Sequence, residues 1–557
     1  MARLNARTSG GINEYALYGL TEVFFACNFK SVVRVAKNPT LKGKRGDSVN
    51  KIFPRFAFAI VCAVGFGLIA VHPASATVRY IAQSAGAFAG GTACNGQIAI
   101  TPATYNGITN SPGDVNYICG TITGSAGSNL VTVHGSGTSG NPVTIIFDSG
   151  AILQAPYFSA GINGNGAQWI VIDGGTNGII QNTANGTGLT YQQASTLVGG
   201  FGSNFTVKNL SFLNVYRHTF GDANGAGSWG LSLKGQSNVT VGPNNTFTYC
   251  DVCIMGDWSN SSDSNWNIHG NSFAASNQDI QMGFYPAGTF SNLSIYGNTA
   301  TNWVNWDDAG DHFHHNFVHL FTNLPGATLT GNLWIYNNSA VGDIGSTATS
   351  LIFLENNNGG TGGTMGPVYI FNNVLSKTNA NVPTSEGIVT VMSTGGYLLN
   401  NTISDAGGTG NDAYNCTHFT SGAWTMENNV LVGCGAYIYQ QNASMTAVNN
   451  NVYYGAPSPQ WISQSTWSTT LASWRASCSC DASSVTTSPN LDTNYRPQAG
   501  SSAIGLGANL SSLGITPLDS DLTGSLRQAS GAWIAGAYSS AASVMPNAPV
   551  GLTATVH

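Results

Sequence analysis

Ile268-His-Gly-Asn-Ser-Phe273 returns, lightly altered, six more times: Ile295-Tyr-Gly-Asn-Thr-Ala300, Ile335-Tyr-Asn-Asn-Ser-Ala340, Ile370-Phe-Asn-Asn-Val-Leu375, Leu398-Leu-Asn-Asn-Thr-Ile403, Met426-Glu-Asn-Asn-Val-Leu431 and Val448-Asn-Asn-Asn-Val-Tyr453. The second Asn falls at 271, 298, 338, 373, 401, 429 and 451, in steps of 27, 40, 35, 28, 28 and 22 residues. Periods of this size mark a solenoid, whose units bury their apolar faces only against one another. Within each phrase apolar and polar residues alternate, the period-2 pattern of a strand. About three short strands with their corners fill such a turn, which suits a parallel β-helix. Asn tolerates left-handed backbone at a corner, and its amide can bond to an identical Asn one coil away.

Working outward, Leu130-Val-Thr-Val133, Val143-Thr-Ile-Ile-Phe147, Trp169-Ile-Val-Ile-Asp173, Phe205-Thr-Val207 and Leu231-Ser-Leu233 read as earlier coils, after a first strand near Val78–Ala82. Only 8% of the residues are charged, against about 25% in ordinary domains. The expected fold is all-β, a right-handed parallel β-helix solenoid with capped ends. The chain divides into a non-native extension (1–48), a signal peptide (49–76), an N-terminal cap (77–130), the β-helix (131–455), a closing segment (456–540) and a linker-like tail (541–557).

The signal reading rests on Lys51 and Arg55, the apolar run Phe56–Val71 and Ala74-Ser-Ala76. That run is short for a membrane span, so cleavage is expected, leaving no stable membrane insertion. Translation is expected to start near Val49; a peptide from 1–48 recovered from secreting cells would contradict this.

Residues 1–76 hold 10 of the 18 Lys and Arg and 3 of the 24 acids, so the remainder carries 8 − 21 = −13. Such a charge argues against nucleic acid or anionic membrane as partners. Eight Cys follow residue 76, an even number that favours disulfides in an exported chain. Cys94–Cys119 and Cys416–Cys434 are the preferred pairs.

The closing segment carries Leu471-Ala-Ser-Trp474, Tyr495-Arg-Pro-Gln-Ala-Gly-Ser-Ser-Ala-Ile504, Asp521-Leu-Thr-Gly-Ser-Leu-Arg527 and Ala535-Gly-Ala-Tyr538. With Tyr80-Ile-Ala-Gln83, Ile118-Cys-Gly-Thr121 and the repeat, it resembles secreted bacterial right-handed parallel β-helix proteins, the pectate-lyase-like superfamily. The resemblance touches most of residues 77–540 and implies export and action on polysaccharide. It does not choose a chemistry, since the group includes lyases, hydrolases, epimerases and non-catalytic adhesins. Ser539 stands where the group usually has an acid.

The densest polar stretch is Trp303-Val-Asn-Trp-Asp-Asp-Ala-Gly-Asp-His-Phe-His-His-Asn-Phe-Val-His319. Asp308, Asp311, His312 and His314 are the candidate catalytic acid–base groups, with His312 and His314 expected on one side of a strand. Trp303 and Trp306 are candidate platforms for sugar rings. Asp251 and Asp279 lie 279 − 251 = 28 residues apart, about one coil. In register, their carboxylates would bind substrate or a cation, so Ca²⁺ is a candidate ligand there. Asn316 either continues that column or belongs to the Asn phrase, as Phe313-His-His-Asn-Phe-Val318.

The resemblance implies that a β-eliminating lyase uses a Lys or Arg base, with acids holding Ca²⁺ against a uronate. Lys234 is the best-placed base in the coils. Of the Asn-Thr-Asp, Asp-Asp, Gly-His-Gly and Arg-Ile-Lys series of pectin hydrolases, only Asp307-Asp308 is present. The expectation is a secreted monomer that binds or cleaves a polysaccharide, as a lyase or hydrolase. The alternative is a non-catalytic surface or adhesion protein.

Overall fold

A computed structural model describes residues 76–540, apart from 187–188, 216–226, 258–261, 285–287, 304–313, 323–325, 346–348, 357–361, 380–386, 407–414 and 457. The expected extension, the signal peptide up to residue 75 and the tail lie outside the described residues. Between them 35 strands join in one sheet that winds on itself, each strand pairing with its counterpart a coil away. Every pairing in it is parallel except the last, Trp461–Ser463 with Thr466–Ser468. This is the expected right-handed parallel β-helix; that hand follows from right-twisted strands joined by parallel crossovers.

Each coil has three strands, one for each of three sheets running the length of the solenoid. A representative coil passes from Ser262–His269 through Ser272–Ala274 to Gln278–Phe284. The first apolar residue of each repeat points into the lumen. It forms one row from Ile145 and Ile172 through Val207, Val241, Ile268, Ile295, Ile335, Ile370, Leu398 and Met426 to Val448. The residue after the corner forms a second row, in which Phe212, Phe247 and Phe273 stack at 4.4 and 5.1 Å. Each such side chain contributes about 1.5–3 kcal/mol by leaving water.

Within the repeated Asn pair the two positions have separate tasks. The second Asn of each pair is buried and forms a continuous amide ladder. Nδ2 of Asn271 donates to Oδ1 of Asn298, and the pattern repeats through Asn338, Asn373, Asn401, Asn429 and Asn451 at 3.0–3.1 Å. Each Oδ1 also accepts the backbone N–H of the preceding Asn, as Asn338 does from Asn298 at 3.0 Å. Asn245 extends the ladder toward the N-terminus, bonding Asn271 at 3.0 Å. Its phrase, Val241-Gly-Pro-Asn-Asn-Thr-Phe247, is lengthened by one residue and escapes the repeat pattern.

The first position takes left-handed backbone: Gly270 (φ 62°) and Gly297 (φ 63°), then Asn337, Asn372, Asn400, Asn428 and Asn450 (φ 52–60°). Gly gives way to Asn toward the C-terminal coils, where the closing segment doubles back along this corner. Asn372 donates to Ser520 O at 2.6 Å, Asn428 to Ala508 O at 2.8 Å and Asn450 to Leu506 O at 2.7 Å. Leu510, Leu518 and Trp533 pack on Phe371 and Leu399 beside them. Amides at these corners therefore hold the strap, a task Gly cannot perform.

Both lumen ends are plugged. Near the N-terminus Tyr105, on the short helix Pro102–Tyr105, is wholly buried and accepts a bond from Asn110 at 3.1 Å. At the far end the helix Leu471–Cys478 starts on a Thr470/Ser473 capping box. It buries Trp474, whose Nε1 donates to Asp481 at 3.0 Å. Cys94–Cys119 and Cys416–Cys434 pair as expected, and Cys478–Cys480 adds a bridge. Cys250 and Cys253 are buried thiols.

Candidate functional site

The third sheet carries a mixed set of polar and aromatic side chains on its outer face. Its strands include Trp229–Lys234, Val252–Asp257, Gln278–Phe284, Asn316–Thr322, Ile352–Glu355 and the start of Gly387–Leu399. Because side chains alternate along a strand, one set fills the lumen and the other forms outward rows. The first outward row runs Ser232, Met255, Gln281, His319, Phe353, Thr390, His418, Tyr439. A second includes Lys234, Phe321, Glu355 and Met392.

His319 and Glu355 meet between the rows, Nε2 lying 3.2 Å from Oε2. The His319 ring stacks on Phe353 at 5.0 Å and lies 5.0 Å from His314 and 4.9 Å from Phe321. Burial pushes the imidazole below its ordinary pKa, while the Glu355 carboxylate pulls it back upward. Neutral His319 therefore donates Nε2–H to Glu355 and keeps a lone pair on Nδ1, which has no partner among the described residues. His319 is 4% exposed, whereas the Glu355 side chain is 19% exposed and is the member that reaches solvent. Further along, His418 and Tyr439 stack at 4.4 Å.

Several expectations change here. Asp251 and Asp279 do not share a rung. Val252 faces Gln278, an offset of 278 − 252 = 26, so Asp251 faces Asn277 and accepts from its amide at 3.1 Å. Asp279 is fully buried, accepting from Ser276 Oγ and from Trp303 Nε1 at 3.1 Å. Burial pushes its pKa up to about 8. A neutral, hydrogen-bonded acid out of step with its expected partner does not fit a Ca²⁺ site, which needs converging ionised oxygens.

Trp303 is not a sugar platform either: it is wholly buried beside Asp279. The strand expected over 312–316 begins at Asn316, and His315 before it takes left-handed backbone with φ 51°. His314 nevertheless sits against His319. Asn316 faces Gln278, and the ladder steps directly from Asn298 to Asn338, so Asn316 belongs to neither expected series. Lys234 is exposed on the outer face with its Nζ 5.5 Å from the Trp229 ring centroid. Asp308, Asp311, His312 and Trp306 lie outside the described residues.

Glu355 escaped the sequence reading, although a signal existed. It is one of three Glu after residue 76, and it ends an apolar strand, Leu351-Ile-Phe-Leu-Glu355. His319 closes the polar stretch that begins at Trp303.

No family model matches this chain, and the comparison with curated proteins finds no match. Among solved structures it is similar to the crystal structure of pectate lyase Pel9A, at 15% identity and TM-score 0.39, over 83% of this chain and 96% of that one. The likeness concerns the winding of the chain.

Proposed function

We propose that this is an exported, monomeric polysaccharide-active protein whose working surface is the outer face of the third sheet. One observation carries the reading: the Glu355–His319 pair, bonded at 3.2 Å and set among ring faces on an otherwise charge-poor wall. An elongated face of stacked strands suits a linear chain, and aromatic surfaces beside polar groups suit sugar rings.

Chemically, the Glu355 carboxylate, oriented by His319 Nε2–H, takes a proton from water or a sugar hydroxyl. Asp308 or Asp311, on the segment preceding the strand that bears His319, supplies the second carboxyl group that glycoside cleavage uses. Export agrees with the three disulfides, which persist in oxidising compartments.

The rival is a surface or adhesion protein without chemistry, and the near-complete burial of His319 favours it. Assays of reducing ends and of ultraviolet absorbance from unsaturated products, on a polysaccharide panel, separate the two. Wild-type protein should release product, and Glu355→Gln should lose about 10²–10³-fold in rate with its melting curve unchanged. Undiminished turnover in Glu355→Gln would refute the site; binding without turnover would leave the adhesion reading.

A further inference from the structure

We infer that the third-sheet face takes an uncharged polysaccharide and hydrolyses it, a conclusion that rests on the proposed function above. β-Elimination removes a proton beside a carboxylate, so its substrates are uronates with one negative charge on each acidic ring. Each such charge must meet a cation on the protein or lose its hydration uncompensated.

The chain's cations are few enough to account for individually. After residue 76 there are eight Lys and Arg. Arg79 pairs with Asp114 at 2.7 Å, Lys208 with Asp173 at 3.1 Å, and buried Lys377 with Asp405 at 3.0 Å. Arg475 donates to the carbonyls of Asp481 and Ser484 beside the closing helix. Arg527 is buried against Asn372 at 2.7 Å, and Arg496 lies over Tyr538 at 4.9 Å. All six are committed away from the face. Lys234 alone stands on it among the described residues. Arg217 lies outside the described residues.

What the face does offer is neutral. Ser232 and Gln281 place a hydroxyl and an amide in the first row, Met255 an apolar group, and His319 an imidazole whose pKa burial lowers. Glu355 adds a negative charge that would repel a uronate directly. The chain after residue 76 carries −13, so the mean field also opposes a polyanion within the screening length of about 8 Å. Neutral sugar rings, which need hydrogen bonds and apolar contact but no counter-charge, meet none of these penalties.

The test uses the full exported chain in affinity electrophoresis through neutral glucan, galactan, mannan and xylan gels and through polygalacturonate and alginate gels, at low and high salt. Reducing ends and unsaturated product are assayed on the same polymers. At least one neutral polymer should retard the protein about tenfold more strongly than either uronate, with little salt dependence, and should yield reducing ends without unsaturated product. Stronger retardation by a uronate, or unsaturated product, would overturn the uncharged-substrate inference while leaving a polysaccharide-active face. Retardation by no polymer would overturn the underlying reading as well.

Discussion

At the residue scale, two buried polar groups govern this protein in opposite ways. Asn338 is satisfied on every side: its Nδ2 reaches Asn373 and Ile295 O, and its Oδ1 accepts twice from Asn298. Asn338→Ala strands the buried Asn298 N–H and takes one bond each from the Asn298 and Asn373 amides, so it should lower stability by about 3 kcal/mol in urea unfolding. A second amide ladder, Asn204, Asn238, Asn265 and Asn292 at another corner, has similar bond lengths, runs in the opposite donor sense and is exposed. There Asn265→Gly, which keeps the left-handed backbone, should cost under about 1 kcal/mol. Equal losses at the two sites would show that burial does not set the ladder's worth. Asp279 behaves differently, because burial holds its proton up to about 8. Its folded pKa lies above the unfolded one, so its share of stability is whole below the ordinary carboxylate range and drains away as pH climbs toward 8. Asp279→Asn should therefore melt above wild type at pH 8 and show a flatter profile between pH 5 and 8. Parallel pH profiles for the two proteins would contradict this.

At the element scale, the corner between the first and second sheets is both a turn and a binding strip. Asn428 illustrates the division: its φ of 60° makes the turn, its Nδ2 donates to Ala508 O, and its Oδ1 accepts from Ala508 N at 2.8 Å. Asn428→Gly preserves the turn and deletes both strap bonds, together with the bond that Nδ2 gives Asn400 Oδ1 at 3.2 Å. Hydrogen exchange should then quicken over residues 503–536 by about tenfold, while the coils themselves keep their protection. Uniform change along the chain would mean that the strap and the solenoid open together.

At the scale of the whole molecule, a stack of parallel rungs ends in unpaired strand edges, and the closing segment covers the last of them. Trp474 and Tyr453 share the Asp481 carboxylate there, at 3.0 and 2.7 Å. A chain ending at Gly455 loses this plug and exposes the final rung. Light scattering should find it associated into larger species than the full chain at the same concentration; a truncated chain of the full chain's association state would count against an edge-capping role.

Sequence by itself determined the winding, because a repeated strand-and-corner phrase has one low-energy way to stack. Ile268, Ile295 and Ile335 announce the lumen row by their spacing, and the Asn column follows from it. It also determined the charge balance on which the substrate argument rests, and it favoured Cys94–Cys119 and Cys416–Cys434, which the folded chain brings together. Only the tertiary structure decided the site. Coil length varies from turn to turn, so a spacing of 28 residues did not put Asp279 on the rung of Asp251, where the true offset is 26. A tryptophan's spacing does not say whether it faces water, and Trp303 faces the lumen. His319 and Glu355 are 36 residues apart and meet through one backbone register. The repeat is local, carried by residues within one coil, whereas a site on a solenoid wall depends on the exact length of every loop between its members.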